Sequence, residues 1–167
     1  LVSAPFDSEG VKTSNKIVVE NGILKTYLYN LKTAKKDNVK STGNGFKSSF
    51  TSYVGISATN FYIEPKENSL DEIIKHIGEG ILIDSFAGLH SGINPISGDF
   101  SLAATGFYIE NGKISSPVEQ ITLAGNFFDL LKNIELVGND LKFSFPSAYG
   151  NIGSPSIYAG ILSISGK

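Results

Sequence analysis

Alternating, β-branched and aromatic stretches dominate the chain and predict a β-rich protein. Residues 16–19 and 23–29 are of this kind, and they flank Glu20-Asn21-Gly22. Asn-Gly suits a type I′ turn, which requires two positive φ angles, so these residues predict a β-hairpin. The same pattern returns at residues 106–114, around Glu110-Asn111-Gly112. We therefore expect two hairpins that share one turn sequence.

Helical periodicity is confined to short segments. Ser69 is followed three residues later by Glu72, which is the spacing of a capping box. Apolar residues then recur at helical spacing, so a helix is predicted over residues 70–77, ended by Gly78. A second helix is predicted over residues 126–134, because its first residue is an asparagine that can cap it and an apolar stripe follows.

Further strands are predicted from apolar and alternating runs. Residues 80–86 are one such run, and residues 99–110 form another, with a bulge or kink expected at the small residues 103–106. Residues 141–145 and 156–165 give two more strands, which a loop containing Gly and Pro separates. Strands therefore outnumber helices along the chain.

The predicted fold class is mainly β, of the α+β kind: an antiparallel β-rich barrel or sandwich-like domain with two or three short helices. Residues 41–53 are rich in Ser, Thr, Gly and Asn and are expected to be a mobile loop. With 167 residues, 41% of them hydrophobic, the chain can bury one sizeable core, so a single domain over residues 1–167 is expected. Methionine is absent, and we expect the sequence to be part of a longer protein.

Composition argues against several kinds of chemistry. Cysteine is absent, so the chain offers no thiolate ligand or cysteine nucleophile. The 14 basic side chains are all lysine and the formal net charge is -2, so nucleic-acid binding is not expected. No stretch approaches the roughly 18 apolar residues that span a bilayer, so we expect no membrane association and a cytoplasmic location.

A metal site can be drawn on the predicted helix, since His76 has Glu72 four residues before it and Glu79 three after it. This spacing places three ligating side chains on one helix face. A solvated polar face explains the same pattern without any function, and the zincin pattern of two histidines four residues apart is missing. The solvated face is the stronger interpretation.

The polar, Gly-rich loop of residues 89–101 holds the candidate binding residues. His90, Ser91, Asn94, Ser97 and Asp99 follow one another between two predicted strands, where functional side chains often lie. A Ser-His-Asp triad can be composed from them, but the G-x-S-x-G nucleophile elbow is absent from the sequence. We take these five residues as candidates for a binding site and assign no catalytic residue.

Several ordered blocks resemble the C-terminal domain of the TldD/PmbA family, once labelled modulator of DNA gyrase. The central blocks are SGINPISGDFS at residues 91–101, GFYIENGKI at 106–114, PV at 117–118, ITLAGN at 121–126 and VGNDL at 137–141. FDSEGV at residues 6–11 and LSISGK at 162–167 also resemble the family. The resemblance covers nearly the whole chain in the expected order.

The resemblance implies an N-terminal α/β region that this sequence does not contain. In TldD-type members a His-Glu-x-x-x-His motif in that region binds zinc for peptide hydrolysis, and a cysteine from a late loop of the C-terminal domain completes the site. The corresponding loop here, FPSAYGNIG at residues 145–153, has no cysteine, and residues 121–126 resemble the PmbA type. The resemblance thus implies no zinc and no other cofactor in this chain.

A PmbA-like role follows from the resemblance. It implies a non-catalytic subunit that joins a TldD-like metallopeptidase as a heterodimer, or forms a homodimer, and helps to hold unfolded peptide substrate. The peptide-binding candidates are then the five loop residues His90, Ser91, Asn94, Ser97 and Asp99. Zinc is then expected in the TldD-like partner. The alternative is a metallopeptidase active in its own right, with zinc held by His76, His90 and carboxylates. Metal content distinguishes the two.

Overall fold

The computed structural model describes residues 3–144 and 150–166. Their contacts divide them into two compact units. Unit 1 is formed by the described residues of Leu1–Ile63 and Lys142–Ser154, and unit 2 by those of Glu64–Leu141 and Pro155–Lys167. The single domain expected over residues 1–167 stays a prediction.

Strands and three short helices make up the regular structure of the described residues. The helices are α1 (Leu31–Lys36), α2 (Leu70–Ile77) and α3 (Phe127–Lys132). The strands are β1 (Val19–Glu20), β2 (Ile23–Leu24), β3 (Gly45–Phe46), β4 (Gly55–Ile56), β5 (Asn60–Tyr62), β6 (Gly80–Ala87), β7 (Asp99–Glu110), β8 (Lys113–Asn126), β9 (Leu136–Val137), β10 (Lys142–Phe143), β11 (Asn151–Ser154), β12 (Ile157–Tyr158) and β13 (Ser163–Ser165). The mainly β, α+β prediction is confirmed. The sheets are open, and the described residues contain no closed barrel.

The principal sheet of unit 2 has the order β13-β8-β7-β6, with every neighbouring pair antiparallel. Leu102, Ile109 and Ile121 of this sheet are buried in the core, and so are Ile73 and Ile74 of α2. Alternation along β7 places its odd-numbered residues up to 107 on the exposed face, as expected for a sheet that buries one side. None of the helices in residues 3–144 and 150–166 is long and apolar enough to cross a membrane.

Both predicted hairpins are present, and each has a type I′ turn, but the strands of the first are residues 19–20 and 23–24 instead of the predicted 16–19 and 23–29. Asn21 and Gly22 have φ angles of 50° and 75°, and Asn111 and Gly112 have φ angles of 53° and 70°. β1 pairs with β2 across the first turn, and β7 pairs with β8 across the second. Asn and Gly tolerate the left-handed region that the turn demands, which is why this dipeptide could be recognised from sequence.

The helix predictions are confirmed at their first residues. Ser69 caps α2 by accepting a hydrogen bond from the Glu72 amide, and the Glu72 carboxylate accepts one from the Ser69 amide. Asn126 caps α3 by accepting from two amides of the first turn. The helix predicted over residues 126–134 is α3, and it ends at Lys132. None of its residues is buried, so its apolar stripe does not extend the helix to residue 134.

The predicted irregularity in residues 103–106 is present as a change of register. β7 pairs with β8 at Ala104 and again at Gly106, while β8 advances by three residues, from Ile121 to Val118. The extra residue therefore belongs to β8. On the other side of β7, the register shifts between Ile83 and Ser85 of β6.

Four expectations about loops and strands differ from the structure. Residues 41–53 include β3, which pairs with β4, so part of this segment is a strand and not only a loop. The segment expected to separate the last strands contains β11, which pairs with β10 and, in parallel, with β5. The prediction over residues 141–145 narrows to β10, and residue 145 lies outside the described residues. Residues 156–165 form β12 and β13 instead of one strand.

Candidate functional site

The candidate loop of residues 88–101 is ordered by its own backbone. The Asn94 amide donates to the Asp99 carbonyl at 2.8 Å, and the Ser101 amide donates to the Gly92 carbonyl at 2.8 Å. Ile93 and Phe100 form an antiparallel bridge between these bonds. Residues 92–94 thereby pair with residues 99–101 at the start of β7 and form a small hairpin. The candidate residues lie on or next to this hairpin.

Asn94 shapes the tip of this loop. Its Oδ1 accepts hydrogen bonds from the amides of Ile96 at 2.9 Å and Ser97 at 3.2 Å, which is the arrangement of an Asx turn. The Gly98 amide donates to the Asn94 carbonyl at 2.9 Å and closes the turn. Ile96 is left 90% exposed at the tip. The Oδ1 atom of Asn94 therefore supports the backbone of the loop.

Ser97, Asp99 and Asn126 form a polar cluster beside this turn. The Ser97 hydroxyl donates to Asp99 Oδ2 at 2.7 Å, and Asn126 Nδ2 donates to Asp99 Oδ1 at 2.8 Å. These two donors, Asn126 first and Ser97 second, hold the pKa of Asp99 below its usual value because they stabilise the carboxylate. Asn126 also donates to the Ser97 carbonyl at 2.9 Å. Asp99 is thus an ionised anchor for the loop.

The role of Asn126 in the loop was not predicted. Its Oδ1 caps α3, which the sequence indicated, while its Nδ2 fastens the loop to the end of β8. A second link is the Phe127 amide, which donates to the Gly98 carbonyl at 2.7 Å. The two residues lie close to the loop because β7 and β8 pair Asp99 with Asn126. Only the long hairpin, and no local pattern, signals this contact.

The candidate side chains do not form a catalytic triad. The Ser97 hydroxyl is directed to Asp99 with no imidazole between them, and Ser91 makes a 3.5 Å bond to the Gly88 carbonyl. His90 is exposed, and its side chain has no hydrogen-bond partner among the described residues. A nucleophile activated by a histidine base requires both groups within hydrogen-bond reach. The arrangement therefore gives no support to hydrolysis by this loop.

An open depression of about 540 Å³ lies along the loop. Three of the five candidates, Ser91, Asn94 and Asp99, line it together with neighbouring backbone. His90 and Ser97 are not part of its lining. The depression is shallow and mixed in polarity, which suits main-chain contacts better than enclosure of a small molecule. Peptide binding by these five residues stays a prediction.

The helix residues once considered for a metal are engaged elsewhere. The Glu72 carboxylate closes the capping box, accepting from the Ser69 amide at 2.7 Å and hydroxyl at 2.8 Å. His76 packs edge-on against Tyr158, with ring centroids 6.0 Å apart. Over residues 3–144 and 150–166, no three His, Asp or Glu side chains are grouped as a metal site. These residues do not fit a zinc site by themselves; that the chain binds no zinc stays a prediction.

The outer edge of β6 offers backbone groups next to the loop. Within the described residues β6 pairs with β7 on one side and with no strand on the other. Glu110 and Lys113 flank a two-residue turn, so this pair is the kind that exchanges backbone hydrogen bonds. Backbone groups of successive residues point to alternate sides of a strand. Followed from β7 into β6 through their register, this alternation directs the amides of Ile81 and Phe86 away from β7. An extended chain can add to such an edge.

The opposite edge of the sheet is less regular. β13 pairs only with residues Thr122, Leu123 and Ala124 of β8. Beyond them β8 contains Pro117, which has no amide hydrogen, and Gln120, whose φ is 56°. A proline and a bulge both interrupt the hydrogen-bonding row of an edge strand. The β6 edge is therefore the better platform for an added strand.

Comparisons with known proteins agree in both sequence and structure. The chain matches the PmbA/TldA metallopeptidase C-terminal domain over residues 1–166. A metalloprotease PmbA homolog from Haemophilus influenzae is 38% identical over 168 residues, covering 100% of this chain and 34% of that protein. TldE from Thermococcus kodakarensis has a TM-score of 0.85 at 30% identity, over 98% of this chain and 36% of that one.

A Thermotoga maritima protein described as a candidate modulator of a DNA gyrase is also similar, with a TM-score of 0.83 and 45% identity over 98% of this chain and 36% of that one. The chain thus spans about a third of the length of these relatives. The match covers the two hairpins, the loop of residues 88–101 and α3, so it includes the candidate site. The chain belongs to the PmbA/TldD metallopeptidase family and corresponds to its C-terminal domain.

Proposed function

We propose that this chain is the C-terminal domain of a PmbA-like, non-catalytic subunit that holds unfolded peptide for a TldD-like zinc metallopeptidase in the cytoplasm. The subunit joins its partner as a heterodimer; a homodimer is the other form of assembly. The observation that carries the proposal is the edge of β6 that no strand of the described residues covers, beside the ordered loop of residues 88–101. The similarity to proteins named PmbA and TldE supports the choice of subunit type.

Strand addition explains how such a subunit accepts many sequences. The amides and carbonyls of β6 that face away from β7 pair with the backbone of an extended peptide, which every peptide has. Folded proteins pair most of their backbone groups internally, so the edge favours unfolded chains. Phe86 is 46% exposed at this edge and adds apolar contact without demanding one side chain.

The loop that follows β6 completes the binding surface. Ser91, Asn94 and Asp99 line its depression, and His90 is exposed beside them. A peptide running along β6 reaches these polar groups at one end, where they hydrogen-bond its main chain. Ser97 and Asn126 act on this end indirectly, because they fix Asp99. The loop is thus a positioning element and not a catalytic one.

Peptide binding by the β6 edge is tested with two substitutions at one position. Phe86→Pro removes one outward amide and the ring, whereas Phe86→Ala removes the ring alone. Loss of one hydrogen bond costs about 1 kcal/mol, so we expect Phe86→Pro to bind a labelled unfolded peptide about fivefold more weakly than Phe86→Ala. Fluorescence anisotropy with the intact protein measures this, after thermal melts show both variants folded. Equal affinities would remove the β6 edge from the proposal.

The partner role is tested by reconstitution. The intact protein is purified with and without a TldD-like subunit, and zinc content and peptide cleavage are measured for each preparation. We expect zinc and cleavage only where the TldD-like subunit is present, and co-elution of the two subunits on size exclusion. Stoichiometric zinc and cleavage by the protein alone, both lost in a His76→Ala or His90→Ala variant, would establish the alternative of an independent metallopeptidase.

A further inference from the structure

The chain contains three Asn-Gly dipeptides, at Asn21-Gly22, Asn44-Gly45 and Asn111-Gly112. Asn-Gly is the dipeptide most prone to spontaneous deamidation, because glycine has no side chain to hinder its amide nitrogen. The reaction requires that nitrogen to reach the asparagine Cγ. A glycine amide held in a hydrogen bond, or an asparagine side chain fixed by partners, prevents this approach until the segment opens. The three sites differ in these respects.

Asn44-Gly45 is held at both residues. Asn44 is 5% exposed; its Nδ2 donates to the Ser57 carbonyl at 2.8 Å, and its Oδ1 accepts from the Thr42 hydroxyl at 2.8 Å. The Gly45 amide donates to Asp7 Oδ2 at 2.9 Å in a buried site. Both the electrophile and the nucleophile are therefore fixed, and reaction requires the whole region to open.

Asn111-Gly112 is restrained by a hydrogen bond from the Gly112 amide and by the long strands on either side of the turn. The Gly112 amide donates to the Gly78 carbonyl at the end of α2, at 2.8 Å. The Gly112 Cα also lies so close to α2 that an added Cβ would stand 3.2 Å from the Lys75 Cα. The turn joins strands of 12 and 14 residues, so opening it requires the principal sheet to fray. This site is protected as well, although its asparagine is exposed.

Asn21-Gly22 has none of these restraints among the described residues. The Gly22 amide makes no hydrogen bond there, and both residues are exposed. The turn joins strands of two residues each, all of whose side chains are exposed. Apart from the ladder itself, the Glu20–Lys25 ion pair at 3.1 Å spans the hairpin. Such a hairpin opens at little cost in free energy.

We propose that Asn21 is a site of spontaneous deamidation in the folded protein, while Asn44 and Asn111 are protected. The Gly22 amide nitrogen attacks the Asn21 Cγ and loses its proton; the N–Cγ bond forms, the Cγ–Nδ2 bond breaks, and ammonia leaves. Water then opens the resulting succinimide. Hydrolysis at the side-chain carbonyl gives aspartate, and hydrolysis at the backbone carbonyl gives isoaspartate. Water is the only co-reactant.

The products alter the first hairpin in two ways. Aspartate and isoaspartate each place a new carboxylate beside Glu20. This carboxylate competes with Glu20 for Lys25. Isoaspartate also inserts an extra carbon into the main chain, which a two-residue type I′ turn cannot accommodate in register. Deamidation at Asn21 therefore opens this hairpin and leaves the principal sheet intact.

Tryptic peptide mapping tests the proposal, since cleavage after lysine places the three sites in separate peptides, residues 17–25, 41–47 and 76–113. The intact protein is incubated in mildly alkaline buffer, digested, and scored by mass spectrometry for conversion of amide to carboxyl. We expect Asn21 to react about tenfold faster than Asn44 or Asn111, because its segment opens most readily. An Asn21→Gln variant should lose the modified 17–25 peptide.

Incubation in concentrated urea is the matched control. Unfolding exposes all three Asn-Gly dipeptides alike, so their rates should converge to within about threefold. Equal rates at Asn21 and Asn111 in native buffer would overturn the proposal, and so would an unmodified Asn21 in native buffer that reacts in urea. These outcomes do not depend on peptide binding, so they leave the proposed function untouched.

Discussion

Glu20-Asn21-Gly22 closes strands of two residues each, whereas Glu110-Asn111-Gly112 closes strands of 12 and 14 residues. Both turns are type I′, with both central φ angles positive. The first stands on an exposed two-stranded ribbon, and the second is attached to α2 through the Gly112–Gly78 hydrogen bond. The tripeptide therefore encodes the shape of the turn, and its surroundings decide how firmly the turn is held.

The difference has a physical basis in burial. Val19, Ile23 and Leu24 of the first hairpin are each about half exposed, so their apolar surface contributes little to stability. Ile109 precedes the second turn and is 0% exposed. An isolated two-stranded hairpin is marginal in water, while a strand pair inside a packed sheet opens only with that sheet.

The largest expected loss of stability comes from Gly112→Val, which is compared with Gly22→Val in the first turn. Gly112→Val forces a β-branched residue to a φ of 70° and brings its Cβ to 3.2 Å from the Lys75 Cα. We expect a loss of about 3 kcal/mol in the free energy of unfolding, against about 1 kcal/mol for Gly22→Val, because the first hairpin relaxes by opening locally.

Urea unfolding of the two variants measures this difference. Gly55→Val is the matched control, since the added Cβ lies 3.7 Å from its nearest neighbour outside the adjoining residues and the backbone there has no positive φ. We expect this control to unfold like the parent protein. Equal losses for Gly22→Val and Gly112→Val would show that the surroundings of the turns do not matter.

A smaller effect is expected from removing the cap of α2. Ser69→Ala deletes the acceptor for the Glu72 amide and should cost about 1 kcal/mol. Because the end of α2 supports the second turn, hydrogen exchange at the Gly112 amide should quicken while exchange in residues 19–24 stays unchanged. NMR-detected exchange measures both. If the two hairpins respond alike, α2 is not a specific support for the second one.

The smallest effect is expected from pH. The Ser69 amide and hydroxyl donate to the Glu72 carboxylate and lower its pKa from the ordinary value of 4.5. A carboxyl with a lowered folded-state pKa stabilises the fold above its ordinary pKa and loses this contribution as the pH falls through the folded value. Stability should therefore decline below about pH 4.5, less steeply in Glu72→Gln, as urea unfolding at several pH values will reveal. Identical pH profiles would contradict the assignment.

Turns and caps could be predicted because their causes are local. Asn21-Gly22 and Ser69-x-x-Glu72 each place the required groups within four residues. β8 escaped prediction because residues 115–120 are mostly polar and include Pro117, which argues against a strand. The sheet tolerates this proline because register directs its nitrogen away from β7. On that side of β8, β13 pairs only with residues 122–124 and does not reach Pro117. Only the long pairing with β7 reveals that arrangement.

The candidate site was predictable in composition but not in geometry. Residues 89–101 were identified as a polar loop, and five of their side chains were named. Their hydrogen bonds could not be foreseen, because Asn126 reaches Asp99 across 27 positions of sequence. Likewise β11 went unrecognised because its parallel partner β5 lies about 90 positions earlier, outside any local pattern.

The pairing of β5 with β11 sets an order of events during synthesis. Asn60 and Asn151 are joined by a 2.8 Å side-chain hydrogen bond, so unit 1 cannot be completed until Asn151–Ser154 has left the ribosome. At about 5–20 residues per second, the wait between these two residues is on the order of 5–20 seconds. During that interval Phe61 and Tyr62 lack the strand they will pair with, and this is when a nascent chain is most exposed to chaperones and to aggregation.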